Sequence, residues 1–423
     1  MAGLASRHSN AAADLTAPAS RDETRGVRQG TRPEGRHDGE AWSARRSRQR
    51  VRARGGMSSG TRPDIETAVP EERLAQWLAT VVPGGTGAVR VEPLAGGSSN
   101  LTFRVRWGAH DLVLRRPPLG RVLATANDVL REHRVQSALA GSGVPVPEMV
   151  ARCDDTAVIG APFYLMEMLD GVVYADADAV AHLDEGDARD ATWALVDVLA
   201  RLHCIDAEQI GLGDLGRPTG FAARQVQRWR TQWESSKQRE LDALDDVADR
   251  LERSVPADTR VGIVHGDYSF NNTIWHRAEP ARMQAVLDWE MATLGEPLTD
   301  LGMLVTYWGP VGELLWRSRA PQPHRRNPGF PDAGAVLDRY AVSTGRAVDD
   351  IDFYRVLATF KLAVISEGAL ARIATAAPER VPNVRATVDE LAAAALDLAD
   401  HSTIPALRAR RRRLPTRQEE RGS

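Results

Sequence analysis

The sequence predicts an α+β protein of two lobes, a small antiparallel sheet carrying one helix followed by a larger, mostly helical lobe. Three patterns point there. Leu101, Phe103, Val105 and Trp107 alternate with Thr102, Arg104 and Arg106, the period of a half-buried strand, and short runs of this kind dominate from Val89 to Met168. After Gly171 the apolar period lengthens to that of helices, predicted over Arg189–Cys204, Phe221–Lys237 and Ile351–Thr375. Among these helices, two short apolar strands flank the polar turn His276–Arg282, which reads as a hairpin.

In chain order, residues 1–60 hold 12 arginines against 6 acidic residues and no apolar periodicity, so they are expected to form a disordered basic tail. The small lobe is expected over 61–168. A strand at Asp111–Arg115 follows a glycine-containing turn, a helix at Arg121–Ala140 ends before Gly141, and Phe163–Met168 forms the last strand. The lobes should join near Met166–Gly171. The helical lobe then runs over 169–403, and 404–423, with Arg410 to Arg413, reads as a second basic tail.

Composition narrows the function. The 423 residues are 43% hydrophobic and 26% charged, enough for a real core. With 54 basic and 57 acidic residues, a net charge of −3 gives no case for nucleic acid or an anionic membrane as partner, which leaves small molecules. Only Cys153 and Cys204 are present, too few for a disulfide framework or a thiolate metal site, so a cytoplasmic location is expected. No apolar run reaches the ~18 residues of a membrane span, and Arg45-Arg46 lacks the apolar segment of an export signal. Lysine occurs only at Lys237 and Lys361; the other 52 basic residues are arginine.

The segment from Gly262 to Trp275, containing His265, Asp267 and Asn272, leads into the hairpin that ends at Leu287-Asp288-Trp289-Glu290. If Ile274 pairs with Val286, Asn272 lies opposite Asp288 on one face, with Cβ atoms about 5 Å apart. One amide and one carboxylate suit magnesium, which takes its remaining ligands from water and substrate phosphates. Asp267, in the same polar loop, is free to face an incoming hydroxyl.

His265-x-Asp267-x4-Asn272 with the later Asp288 resembles the aminoglycoside phosphotransferase family, choline-kinase-like relatives of protein kinases. The strings around Leu287–Glu290, Leu294–Leu301 and Val113–Pro118 resemble the branch found fused to acyl-CoA dehydrogenases. The resemblance covers about Pro70 to Asp400. It implies a protein-kinase-like fold and transfer of the γ-phosphate of ATP or GTP, with Mg2+, to the hydroxyl of a small-molecule acceptor. It also implies Asp267 as catalytic base, Asn272 and Asp288 as metal ligands, His265 as a brace of the loop, and Asp300 as the residue that ties the loop down.

The nucleotide should then lie against the small lobe. Gly96, Gly97, Ser98 and Ser99 join two strands, and the glycines let backbone amides approach phosphate. The strand cation such a lobe needs falls on Arg115. Its partner is expected to be Glu132, which shares a helix face with Val129, Val135 and Leu139. Glu167 and Met168 match the hinge whose backbone would hydrogen-bond the base. Gly211-x-Gly213-x-x-Gly216 imitates a dinucleotide fingerprint, but it follows a helix instead of a strand and is read as a connection. Trp229 and Trp233, with Arg224, Arg228 and Arg230, form either a packed helix or a site for an anionic or acyl acceptor. The acidic run Glu240–Glu252 would suit a polycationic aminoglycoside and reads equally as a solvated helix face. An aminoglycoside kinase and a nucleotide-binding relative without transfer activity are therefore the alternatives.

Overall fold

The computed structural model describes residues 65–94, 100–119, 128–257, 261–316 and 327–408. Two short helices, α1 (Ile65–Ala68) and α2 (Glu71–Val81), precede the sheet. β1 (Arg90–Pro93), β2 (Leu101–Trp107) and β3 (His110–Arg116) form a meander; α3 (Val129–Leu139), β4 (Met149–Cys153), α4 (Thr156–Ile159) and β5 (Phe163–Glu167) complete the small lobe. The sheet order is β1-β2-β3-β5-β4, every pair antiparallel. Alternation along β2 places Phe103, Val105 and Trp107 in a core shared with Leu74 and Leu78 of α2. Helix α2 was not among the expected elements; its two acidic residues at the N-terminus and its Leu74/Leu78 stripe were the available signal for it as a partner of the sheet.

The helical lobe opens with β6 (Gly171–Val172) and then α5 (Glu185–Cys204), α6 (Phe221–Ser236) and α7 (Asp242–Arg253). Helix α5 begins four residues before the expected start because Asp184 caps it, accepting from the Asp187 amide. Next come β7 (Gly262–Val264), β8 (Thr273–His276), β9 (Met283–Val286) and β10 (Thr293–Gly295). They form two small antiparallel sheets, β6-β8-β9 and β7-β10. The chain ends in α8 (Leu298–Trp308), α9 (Pro310–Trp316), α10 (Ala333–Thr344), α11 (Ile351–Ala376), α12 (Val381–Asp400) and α13 (Pro405–Arg408). Ordered structure thus continues past the boundary expected at residue 403: Leu407 is fully buried, and its carbonyl accepts from Arg250. Residues 1–60 and 409–423, the expected tails, lie outside the described residues apart from this short extension.

The 211–216 segment forms turns between α5 and α6. Its Gly211 carbonyl and Asp214 carboxylate are held by Arg134, so it serves as a connection to the small lobe. No described helix is long and apolar enough to cross a membrane.

Candidate active site

The loop between β7 and β8 is held from beneath by one buried carboxylate. Asp300, in the first turn of α8, accepts from the amides of His265 (2.6 Å) and Gly266 (2.7 Å) and from His203 Nε2 (3.2 Å), while Tyr340 lies on His203 Nδ1. Burial alone would raise the Asp300 pKa. The hydrogen bond and charge interaction with His203, with the hydrogen bond from the His265 amide, outweigh it and hold the acid below its ordinary value. The His265 ring accepts from the Asp267 amide at Nδ1 and donates from Nε2 to the Leu287 carbonyl, so a neutral ring with its proton on Nε2 satisfies both contacts. One imidazole therefore joins the loop to the end of β9. Gly266 sits at φ +89°, and a Cβ there would meet Met291 Cβ at 2.7 Å, so only glycine fits the turn that presents Asp267.

Asp267 is enclosed by groups from three elements. Asn272 Nδ2 donates to its carbonyl (2.8 Å) and to its carboxylate (3.0 Å), the Tyr307 hydroxyl of α8 bonds the carboxylate, and Lys361 of α11 contributes a positive charge. Burial pushes the Asp267 pKa up, with Lys361 and the hydrogen bond from Asn272 opposing. A carboxylate shifted toward neutral pH makes a better proton acceptor for a hydroxyl.

The hairpin register differs from the expected one. Thr273, not Ile274, pairs with Val286, and a bulge follows Ile274. Asn272 consequently opposes Leu287, whose amide donates to the Asn272 carbonyl (2.8 Å). Asn272 closes a short 3-10 turn, while Asp288 adopts φ +65°, the one non-glycine among the described residues in the left-handed region. Asp tolerates that conformation better than most residues. The departure from strand geometry on both chains, not a shared β ladder, aims these two side chains.

Arg115 on β3 bridges the lobes. Its Nε lies 3.1 Å from Glu132 Oε2 and its Nη2 2.5 Å from Asp288 Oδ1. The Arg115 side chain is 10% exposed and that of Glu132 1%. Burial disfavours the Arg115 charge, but Glu132, Tyr164 and Asp288 prevail and raise its pKa, so it stays cationic. Burial pushes Glu132 up to about 7 despite Arg115. Glu132→Gln is expected to weaken nucleotide binding about 10-fold, since Arg115 then loses the partner that aims its guanidinium; titration calorimetry with Mg·ATP checks this, and an unchanged affinity would leave the pair merely structural.

The other nucleotide residues divide. Gly96, Gly97, Ser98 and Ser99 lie outside the described residues; the flanking Asn100 reaches across to Glu290, its Nδ2 3.5 Å from Oε2. The amides of Glu167 and Met168 are engaged, donating to the Glu148 (2.9 Å) and Asp111 (3.2 Å) carbonyls.

Beside the loop opens a cavity of about 690 Å³ lined by Gly266, Glu290, Met291, Trp229 and five cations, Arg131, Arg217, Arg224, Arg228 and Lys361. Helix α6 thus divides: Arg224 and Arg228 face the cavity, whereas Arg230 pairs with Asp249 and Glu252 and Trp233 donates to Asp245. Four of the five acidic residues of α7, Asp245, Asp246, Asp249 and Glu252, are engaged in these bonds and with Arg250.

Residues 90–322 match the sequence profile described as the phosphotransferase enzyme family. The chain belongs to this family. Acyl-CoA dehydrogenase family member 11 of Gallus gallus is 34% identical over 339 residues, 77% of this chain and 43% of that protein. Member 10 of Mus musculus is 33% identical over 320 residues, 74% of this chain and 30% of that protein. The chain therefore spans less than half the length of these curated relatives. Among solved structures, a putative aminoglycoside phosphotransferase from Ralstonia eutropha superposes with a TM-score of 0.66 at 32% identity, covering 77% of this chain and 98% of that one. A choline kinase from Cryptosporidium parvum gives 0.56 at 11% identity, covering 80% and 98%, which shows the shared fold. The phosphotransferase fold is thus the bilobal, protein-kinase-like one.

Four contributions to this phosphotransferase site were missed in the sequence. His203 lies buried in the last turn of α5, and its bond to Asp300 depends on α5 and α8 being neighbours. Tyr307 and Lys361 come from helices 40 and 94 residues beyond Asp267 and carry no local motif. Glu290 stood in the motif string without a role; its spacing of two from Asp288 was the available signal.

Proposed function

We propose that the protein transfers the γ-phosphate of ATP or GTP, with Mg2+, to the hydroxyl of a small anionic molecule, Asp267 acting as base. The observation that carries the anionic acceptor is the cavity beside the loop, where five cations face one carboxylate, Glu290. An arginine-lined wall with Trp229 as an apolar face suits carboxylate or phosphate groups. A polycationic aminoglycoside would meet repulsion there, and the acidic helix that could have received it is already paired internally.

The metal fits the residues present. Both Asn272 contacts use Nδ2, which leaves Oδ1 to coordinate, and Asp288 has one oxygen on Arg115 and one spare. No cluster of three or more acidic, His or Cys ligands exists among the described residues, in keeping with an ion that takes most of its ligands from water and phosphates. Bound there, Mg2+ would neutralise charge on the nucleotide phosphates. The protein's own part is to hold Arg115 at the phosphate side through Glu132, to accept the hydroxyl proton on Asp267, and to keep that carboxylate oriented through Asn272 and Tyr307.

A panel of hydroxylated compounds tests the acceptor. With Mg·ATP and Mg·GTP, hydroxycarboxylates and hydroxylated phosphate esters are expected to be phosphorylated and to compete with one another, whereas aminoglycosides are not. Turnover of aminoglycosides in preference to the anions would overturn the proposal in favour of an antibiotic kinase. Nucleotide binding without transfer to any acceptor or to water would favour an inactive relative.

A further inference from the structure

Lys361 is one of two lysines in a chain with 52 arginines, and it sits where an ammonium is hardest to explain as packing. It projects from the middle of α11 into the wall of the cavity. Its Nζ donates to the carbonyl of Gly266 at 3.2 Å, the residue immediately before Asp267, and stands 5.6 Å from the centre of the Trp229 ring. Burial disfavours its charge, Asp267 and Asp300 nearby favour it, and Arg228, over the same indole at 5.4 Å, opposes it. Among the described residues no carboxylate comes within 4.0 Å of Lys361; of the buried arginines, Arg115 and Arg250 each have two, whereas Arg116 is held by backbone carbonyls. Lys361 is part-exposed along the cavity wall, and an ammonium with two donors unspent among the described residues, beside the base, points to an anion that arrives with the substrates.

We propose that Lys361 is a catalytic residue whose ammonium contacts a non-bridging oxygen of the phosphoryl group in transit. The inference rests on the kinase function proposed above. In the step it assists, the acceptor hydroxyl gives its proton to Asp267 and its oxygen forms a bond to the γ-phosphorus. The bond from that phosphorus to the β–γ bridging oxygen breaks, and the nucleoside diphosphate leaves with the electron pair. Negative charge is shared among the three equatorial oxygens throughout, and a fixed cation at one of them needs no reorganisation as the reaction proceeds. A compact ammonium reaches this corner beneath Trp229, where a planar guanidinium would need space for its fork. The contact to Gly266 fixes the cation and the base to the same loop, so the two keep their spacing.

The test uses the full chain and Mg·ATP, with water in the acceptor's place, and compares wild type, Lys361→Met and Lys361→Arg. Hydrolysis by Lys361→Met is expected to fall about 100-fold or more. Its Mg·ATP affinity should change less than about 3-fold, and Lys361→Arg should recover part of the rate. With ATPγS in place of ATP, the ratio of the two rates should be smaller in Lys361→Met than in wild type, because sulfur weakens a contact the variant no longer makes. A merely structural lysine would leave that ratio unchanged, which would overturn the proposal, as would undiminished hydrolysis by Lys361→Met. Failure of the wild type to turn over any nucleotide, with the anionic acceptors or with water, overturns the kinase function and this inference together, whereas an active wild type beside an equally active variant overturns this inference alone.

Discussion

Asp267→Asn is expected to lower phosphoryl transfer by about 10^3- to 10^4-fold while leaving Mg·nucleotide affinity nearly unchanged. The substitution keeps the shape that Asn272 and Tyr307 hold, and removes only the capacity to take a proton. Burial already pushes the Asp267 pKa upward, which marks the carboxylate as costly in its charged form, so the neutral amide should not cost stability. The measurement is a pair of experiments on one sample, initial rates and calorimetric nucleotide binding. A fully active variant would remove Asp267 from the mechanism; equal losses in rate and binding would move it to the nucleotide site.

Asp288→Asn is expected to abolish the thermal stabilisation that Mg·ATP confers on the wild type, with affinity falling at least about 100-fold. Asparagine tolerates the φ of +65° that Asp288 adopts, so the fold should persist where alanine would add backbone strain. In the proposed function the charge on Asp288 serves two partners, the metal and Arg115, of which Arg115 already lies on Oδ1. Its removal leaves Arg115 with Glu132 alone, which should let the protein bind nucleotide without magnesium better than wild type does. Titration of metal-free ATP against both proteins separates the two effects. Unaltered Mg·ATP affinity in the variant would show that the metal lies elsewhere.

The two variants probe groups whose chemistry was legible in the chain and whose placement was not. Residue types and spacing within His265-x-Asp267-x4-Asn272 are local, and a loop of that kind between two apolar strands presents the same groups in any context that lets it form. The pair Arg115 and Glu132 was readable for a related reason: a charged residue on the apolar face of a helix must find an opposite charge, and the family resemblance placed the strand cation at Arg115, on the face of Val113, although Arg116 on the other face of β3 is buried as well. The hairpin register was not readable. A two-residue repeat assumes that both strands run straight to their ends, but the 3-10 turn at Asn272, the bulge after Ile274 and the left-handed backbone at Asp288 each break that repeat.

By itself the sequence determined the two-lobed α+β architecture, the strand and helix periods, the loop that bears Asp267 and the excess of arginine on α6, because these are set by neighbours along the chain. The tertiary structure alone decided which of those arginines face a cavity and which are consumed by α7. It also decided that Asp300 is held by His203 and that a lysine 94 residues downstream stands beside the base. The reason is the same in each case: the interaction energy belongs to pairs distant in sequence, and no local pattern records which helix will pack against which.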